Sequence, residues 1–294
     1  MAITAGMVKE LRQTTGAGMM DCKKALSETD GDMEAAIEFL RKKGMAGADK
    51  KAGRVAAEGV IAIAVSDDKK SGVIAEVNCE TDFVAKGDEF KNFANEIAAI
   101  ALANKTTDIE AVMNAEMASG KTVDQTRREM IAKIGENMAV RRLELIETTG
   151  QIGQYQHGEK IGVVVSLEGG DDALARDIAM HVAAAKPSAV SSDELDAEVV
   201  EKERAFQIEQ AKTSGKPMEI IEKMIEGRMR KFVGEITLLG QSFVKDPDQT
   251  VEKLLKSNGA SVSSFIRLEV GEGIVIEETN FADEVALAAK AVTG

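Results

Sequence analysis

Two stretches of this chain repeat one order of elements, and that duplication limits the possible folds more than any single motif. In the first, Val60 to Val65 is a continuous apolar run and Ser66 to Gly72 is rich in turn residues. Val73, Ala75, Val77 and Cys79 then alternate with Ile74, Glu76 and Asn78, the period of a strand with two distinguishable faces. Phe90, Phe93, Ala94, Ile97 and Ala101 follow at helical spacing, with Asp88 as the expected N-cap. In the second, Gln151 to His157, a His-Gly-Glu-Lys turn and Ile161 to Leu167 lead through Gly169-Gly170-Asp171-Asp172 to a helix carrying Leu174, Ile178, Val182 and Ala185. With only two copies this is no solenoid. Strand, turn, strand, helix twice over predicts an α+β fold: a core of two related subdomains, each an antiparallel sheet covered by helix.

The remaining segments are arranged around that core. Residues 1–45 read as a three-helix bundle. Thr4 caps a helix that ends at Gly16, Met19 opens a second, and Asp32 caps a third that Gly44 should terminate. The small and charged stretch 46–58 reads as a linker. The first core subdomain is expected over 59–140, with helices near Thr107 to Ala115 and Thr122 to Ile134, the latter closed by Gly135. The second is expected over 141–187 and 234–279, with strands at Arg141 to Ile146 and Ser263 to Val270. Pro187 halts its helix and introduces an insertion, 188–233. There two helices joined by Thr213-Ser214-Gly215-Lys216 should pack as a projecting antiparallel hairpin. Val199, Phe206, Ile221, Met224, Ile225 and Phe232 are its expected seam. Residues 280–294 read as a C-terminal amphipathic helix.

Charge and composition exclude several classes. The 294 residues are 44% apolar and 30% charged, with a net charge of -13. A surface so acidic lacks the clustered cations that grip nucleic acid or anionic lipid without regard to sequence, so neither nucleic acid nor membrane is an expected partner. Lys50, Lys51 and Arg54 form one small basic cluster, best placed in the solvated linker. No apolar run approaches the ~18 residues that a membrane helix needs, and the N-terminus has no uninterrupted apolar core of a secretory signal, so the cytoplasm is the expected location. Cys22 and Cys79 are the only cysteines, which rules out a disulfide framework or a four-thiolate metal site. Both read as small buried side chains.

Catalytic patterns are missing. Ser119-Gly120-Lys121-Thr122 imitates the end of a phosphate-binding loop, but five residues before Gly120 stands Ala115, and the lead-in is helical. Gly271-Glu272-Gly273 lacks the third glycine of a dinucleotide fingerprint. His157 and His181 are the only histidines and have no clustered ligands or nearby nucleophile in sequence. No catalytic residue, metal site or cofactor is expected. Two positions invite a different reading. Thr81-Asp82-Phe83-Val84 is a short turn between strand and helix, so Phe83 is either folded into the core or offered to another molecule. Met19 and Met20 beside Gly16 and Gly18 either fill the bundle core or make an adaptable contact surface.

Five separated phrases carry a resemblance. Thr15 to Leu26 (T-G-A-G-M-M-D-C-K-K-A-L), Val77 to Ala85 (V-N-C-E-T-D-F-V-A), Lys133 to Asn137 (K-I-G-E-N), Tyr155 to Gly158 (Y-Q-H-G) and Glu226 to Met229 (E-G-R-M) stand in order along the chain. Together they closely resemble bacterial elongation factor Ts, over essentially the whole length. The resemblance implies a UBA-like (ubiquitin-associated type) N-terminal module, the two-part core, the helical hairpin and the C-terminal helix. It also implies a guanine nucleotide exchange factor without chemistry of its own. The implied partner is elongation factor Tu, bound in its GDP-loaded and nucleotide-free states, in an assembly compatible with 2:2 stoichiometry. Carried over by position, Asp82 and Phe83 intrude beside the partner's magnesium site and Thr81 and Val84 complete that motif. Met19, Met20, Lys23, Ile134, Gly135 and His157 match further contact positions. Two other classes compete: an enzyme of unrecognised type, and a scaffold that binds without changing nucleotide lifetime.

Overall fold

The computed structural model describes residues 3–212 and 218–275. Its first helices, α1 (Ala5–Thr15), α2 (Met19–Glu28) and α3 (Met33–Lys51), enclose Leu11, Cys22, Ala25, Leu26, Ala36 and Leu40. The expected caps form: the Thr4 hydroxyl accepts from the Met7 N–H, the Asp32 carboxylate accepts from the Ala35 N–H, and Gly16 closes α1 in the left-handed region. One expectation is corrected here. The segment taken as linker is helical as far as Lys51, because Gly44 does not end α3. A Cβ at Gly44 would lie 3.0 Å from the Ala132 Cβ, so this glycine permits close helix packing. Asp49 then pairs with Arg128 at 2.8 Å and Ala48 is buried in the core beyond.

The chain continues through β1 (Glu58–Val65), β2 (Ser71–Cys79), α4 (Asp82–Ala85), α5 (Asp88–Ala103), α6 (Ile109–Asn114), α7 (Val123–Ile134) and β3 (Met138–Glu147). These strands form an antiparallel sheet in the order β1-β2-β3. β3 therefore lies in the first sheet, which corrects the placing of Arg141 to Ile146 with the second subdomain: the ladder runs from Ser71 opposite Glu147 to Cys79 opposite Met138. Asp88 is the first residue of α5 and Gly87 its N-cap, one position from expectation. Thr122 builds a capping box with Gln125 at the start of α7, and Gly135 closes it at φ 93°.

The second sheet, β4-β5-β8, takes β4 (Gln151–His157) and β5 (Ile161–Glu168) before α8 (Asp172–Ala185), then the hairpin α9 (Ala197–Lys212) and α10 (Met218–Ile236). After it come the short ribbon β6 (Ser242–Phe243) with β7 (Asp246–Thr250), then α11 (Val251–Ser257) and β8 (Ser261–Glu269). The antiparallel sheets agree with the expected α+β class. Each packs its outer face on helices, α5 and α7 on one side and α8 on the other. Their inner faces meet through Ile61, Ile74, Ile146, Ile152, Val164 and Leu268. All nine residues of β2 are buried, since one face meets α5 and the other meets the second sheet. The sheets approach so closely that a Cβ on Gly162 would stand 2.4 Å from the Ile61 methyl.

The hairpin has its own apolar cluster of Ala211, Ile221, Ile225 and Met229, with Val200, Ile208 and Phe232 packed against it. Val199 and Phe206, expected in the seam, are instead 48% and 60% exposed. Residues 200, 208 and 211 face α10, and a seven-residue spacing one position earlier falls outside that stripe. The connecting loop and the expected C-terminal helix lie outside the described residues.

His181 locks the ribbon to α8. Its Nε2 is 3.0 Å from the side-chain amide oxygen Oε1 of Gln241, and the Val244 N–H donates to its Nδ1 at 3.2 Å. Both contacts suit a neutral ring with the proton on Nε2. Burial depresses its pKa. The unfolded chain then binds a proton near pH ~6.5 that the native chain refuses, so this contribution is full above that pH and lost as pH falls toward the native value. Urea midpoints between pH 7.5 and 5.5 should therefore fall more steeply for the parent than for His181→Gln.

Candidate functional site

α4 is a single turn placed where β2 runs out. The Thr81 hydroxyl caps it by accepting from the Val84 N–H at 3.4 Å. A helical turn presents one face to the core and the other to solvent. Ala85 is buried and Val84 packs on the first core, while Phe83 is 87% exposed. Its ring is thus not folded into the core. A bare phenyl ring of that exposure is costly to leave in water, which makes it the most conspicuous apolar feature of the described surface.

Charged pairs frame the ring. Asp82 bonds Lys86 at 2.6 Å, one turn along, and this contact holds the Asp82 carboxyl below the usual carboxylate range and raises the Lys86 ammonium. Lys160, in the β4–β5 turn, adds a weaker lowering effect on Asp82. That turn is tied down by Lys160 to Glu58 at 2.7 Å, by Glu159 to Lys91, and by the Ile61 N–H donating to the Glu159 carbonyl at 2.8 Å. His157, at the end of β4, is exposed, with Nδ1 3.3 Å from the Tyr155 hydroxyl.

Ile134 and Gly135 join from another side. Ile134 is half-buried against the first core, and Gly135 turns the chain back so that Glu136 meets Thr81. Thr81 to Val84, Ile134 and Gly135 are thereby gathered about one end of the first sheet, and the turn that follows His157 is tied to the same sheet through Glu58 and Ile61. Lys86, Glu136, Glu159 and Lys160 share the area and were not singled out from sequence. Glu136 sits inside the Lys133 to Asn137 phrase, which was the available signal.

Met19, Met20 and Lys23 form a separate surface. Met19 and Met20 are 60% and 73% exposed, so the bundle core is filled without them. They line a groove of about 470 Å³ between α1 and α2 with Val8, Lys9 and Arg12. Its floor is apolar and its rim basic.

Reaction chemistry finds little support here. Burial, aided by the Glu136 and Glu58 charges, pushes the Cys79 thiol up to about 12, so it is no thiolate at neutral pH. Among the described residues no group of three or more His, Cys, Asp or Glu is placed to hold a metal. No helix among them is long and apolar enough to cross a membrane.

An uncovered aromatic on a turn braced from beneath, and an apolar groove on a small bundle, are the contact features that a binding protein would offer. Comparison with known proteins is specific about which. The family described as Elongation factor TS matches residues 80–272. Elongation factor Ts of Hydrogenovibrio crunogenus is 77% identical over 294 residues, all of both chains. That of Methylococcus capsulatus is 62% identical over 286 residues, 97% of this chain and 98% of the relative. That of Legionella pneumophila is 56% identical over 283 residues, 96% and 97%. This chain belongs to the elongation factor Ts family, and its place is in the elongation stage of protein synthesis.

Proposed function

We propose that this chain binds elongation factor Tu carrying GDP, loosens the Mg2+ and phosphate site, and holds the nucleotide-free form until GTP enters. The observation that carries the reading is Phe83, 87% exposed on a capped and braced turn in a chain of this family. A binding protein can empty a nucleotide site only if it prefers the vacated form, by a coupling free energy that acts equally in both directions. No bond need be broken. Mg2+ demands near-ideal octahedral geometry while bridging phosphate to protein, so a small displacement of its shell weakens nucleotide binding strongly.

In this reading Phe83 is the wedge and Asp82 accompanies it, with Thr81 capping and Val84 anchoring the turn. Ile134, Gly135 and His157 extend the same contact. Met19, Met20 and Lys23 offer a second foothold on a module of UBA-like type, where a basic rim suits an acidic partner helix. The decisive experiment is stopped-flow release of fluorescent GDP from elongation factor Tu with and without the chain. Acceleration by at least about tenfold is expected, since a coupling of ~1.4 kcal/mol already shifts affinity that far. A complex that forms with unchanged GDP lifetime would leave a scaffold, and GTP turnover by the chain alone would point to an enzyme.

A further inference from the structure

The β2–β3 ladder ends at Cys79 opposite Met138, yet the two segments stay joined for two more residues through side chains. One step on, the Asn137 N–H donates to Glu80 Oε1 at 2.6 Å. At the next step Glu136 takes both donors of Thr81: the backbone N–H reaches one carboxylate oxygen at 3.0 Å and the hydroxyl reaches the other at 2.7 Å. Asn137 is itself fixed, since its Nδ2 donates to the Arg54 carbonyl at 2.8 Å. The left-handed Gly135 gives Glu136 this reach by turning the chain out of α7.

What the clamp governs follows from the chemistry of a hydroxyl. Thr81 Oγ1 has one proton to give and lone pairs to receive. Its proton goes to Glu136, which leaves a lone pair directed at the Val84 N–H, the bond that starts α4. A helix of four residues has no stability of its own. Phe83, being exposed, draws no direction from packing, so its ring points wherever the α4 backbone points.

We propose that Glu136 is the positioning residue that aims Phe83, acting through Thr81 and the first turn of α4. The inference rests on the exchange reading above, and its test separates the two. In the isolated full-length chain, Glu136→Ala should speed amide hydrogen exchange at residues 82 to 86 by about tenfold or more while protection of β1 and β5 is unchanged. Glu136→Gln keeps the shape but loses one of the two acceptors, and should fall between parent and Glu136→Ala.

In the GDP-release assay, Glu136→Ala should lower the saturating rate by about tenfold, and by less than about twofold when Phe83→Ala is already present, because both changes disable one device. Unchanged protection at 82 to 86 overturns the proposal. So does an equal loss of rate in the parent and Phe83→Ala backgrounds, which would show Glu136 acting elsewhere. If Phe83→Ala alone releases GDP normally, the wedge fails and the aiming proposal falls with it while exchange by the rest of the surface stands; the exchange reading itself fails only if the parent chain leaves GDP lifetime unchanged.

Discussion

Phe83→Ala should reduce chain-stimulated GDP release from elongation factor Tu by at least about tenfold while leaving the chain fully folded. The magnitude comes from burial: seating a phenyl ring in an apolar pocket is worth about 1.5 to 3 kcal/mol, or one to two decades in preference if the pocket closes in the loaded state. The intact fold comes from geometry. Phe83 is 87% exposed, so its removal opens no cavity, and surface changes of that kind stay within about 0.5 kcal/mol. Far-UV circular dichroism and the urea midpoint should match the parent. Because the interface is wider than one ring, binding should weaken less than the saturating release rate falls. A variant that releases GDP at the parent rate would remove the wedge from the account.

Glu76→Ala should produce the opposite pattern, a large stability loss with the contact surface chemically untouched. Glu76 is fully buried on β2, where it bonds Arg141 at 2.9 and 3.0 Å and Arg142 at 2.5 Å, and accepts the Gly271 N–H at 2.8 Å. Those guanidinium groups in turn donate to the carbonyls of Glu272 and Glu269 at 2.6 and 2.9 Å. One carboxylate thus joins the first sheet to the chain leaving β8. Removing one partner of a buried ion pair typically costs about 3 to 5 kcal/mol. Here the side chains of Arg141 and Arg142 are 28% and 26% exposed and can recover some hydration, which argues for about 3 kcal/mol. The denaturant midpoint should fall accordingly, and amides from 269 to 272 should lose protection first. A midpoint equal to the parent's would mean that the cluster contributes nothing net.

The duplicated core was legible because two-residue and 3.6-residue periods encode which face is buried, and both copies carry them cleanly. Where a residue type has two physical uses, sequence could not choose. Gly44 reads as a helix terminator and serves as a helix contact. Arg141 to Ile146 reads as a strand, but nothing local says that its partner is β2. The ribbon and α11 escaped notice because β6 is two residues long and β7 contains Pro247, too little for any period. At the candidate site, spacing located the Phe83 turn and left its direction open. Glu136 stood inside the Lys133 to Asn137 phrase, but its bond to Thr81 joins positions 55 apart, which no local period can show.

The unbroken α3 has a consequence for how a partner is met. A bundle hung on a loose tether would search for its foothold independently, and each contact would add to the other only through an effective concentration set by the tether. A helix that runs from Met33 to Lys51 and lies along α7 behaves instead as a strut. The methionine groove and the phenylalanine tip then sit at a set spacing, like the jaws of a caliper, and on the proposed reading that both are footholds, a GTPase whose two docking points match that gauge would engage both while one of another size would engage neither well.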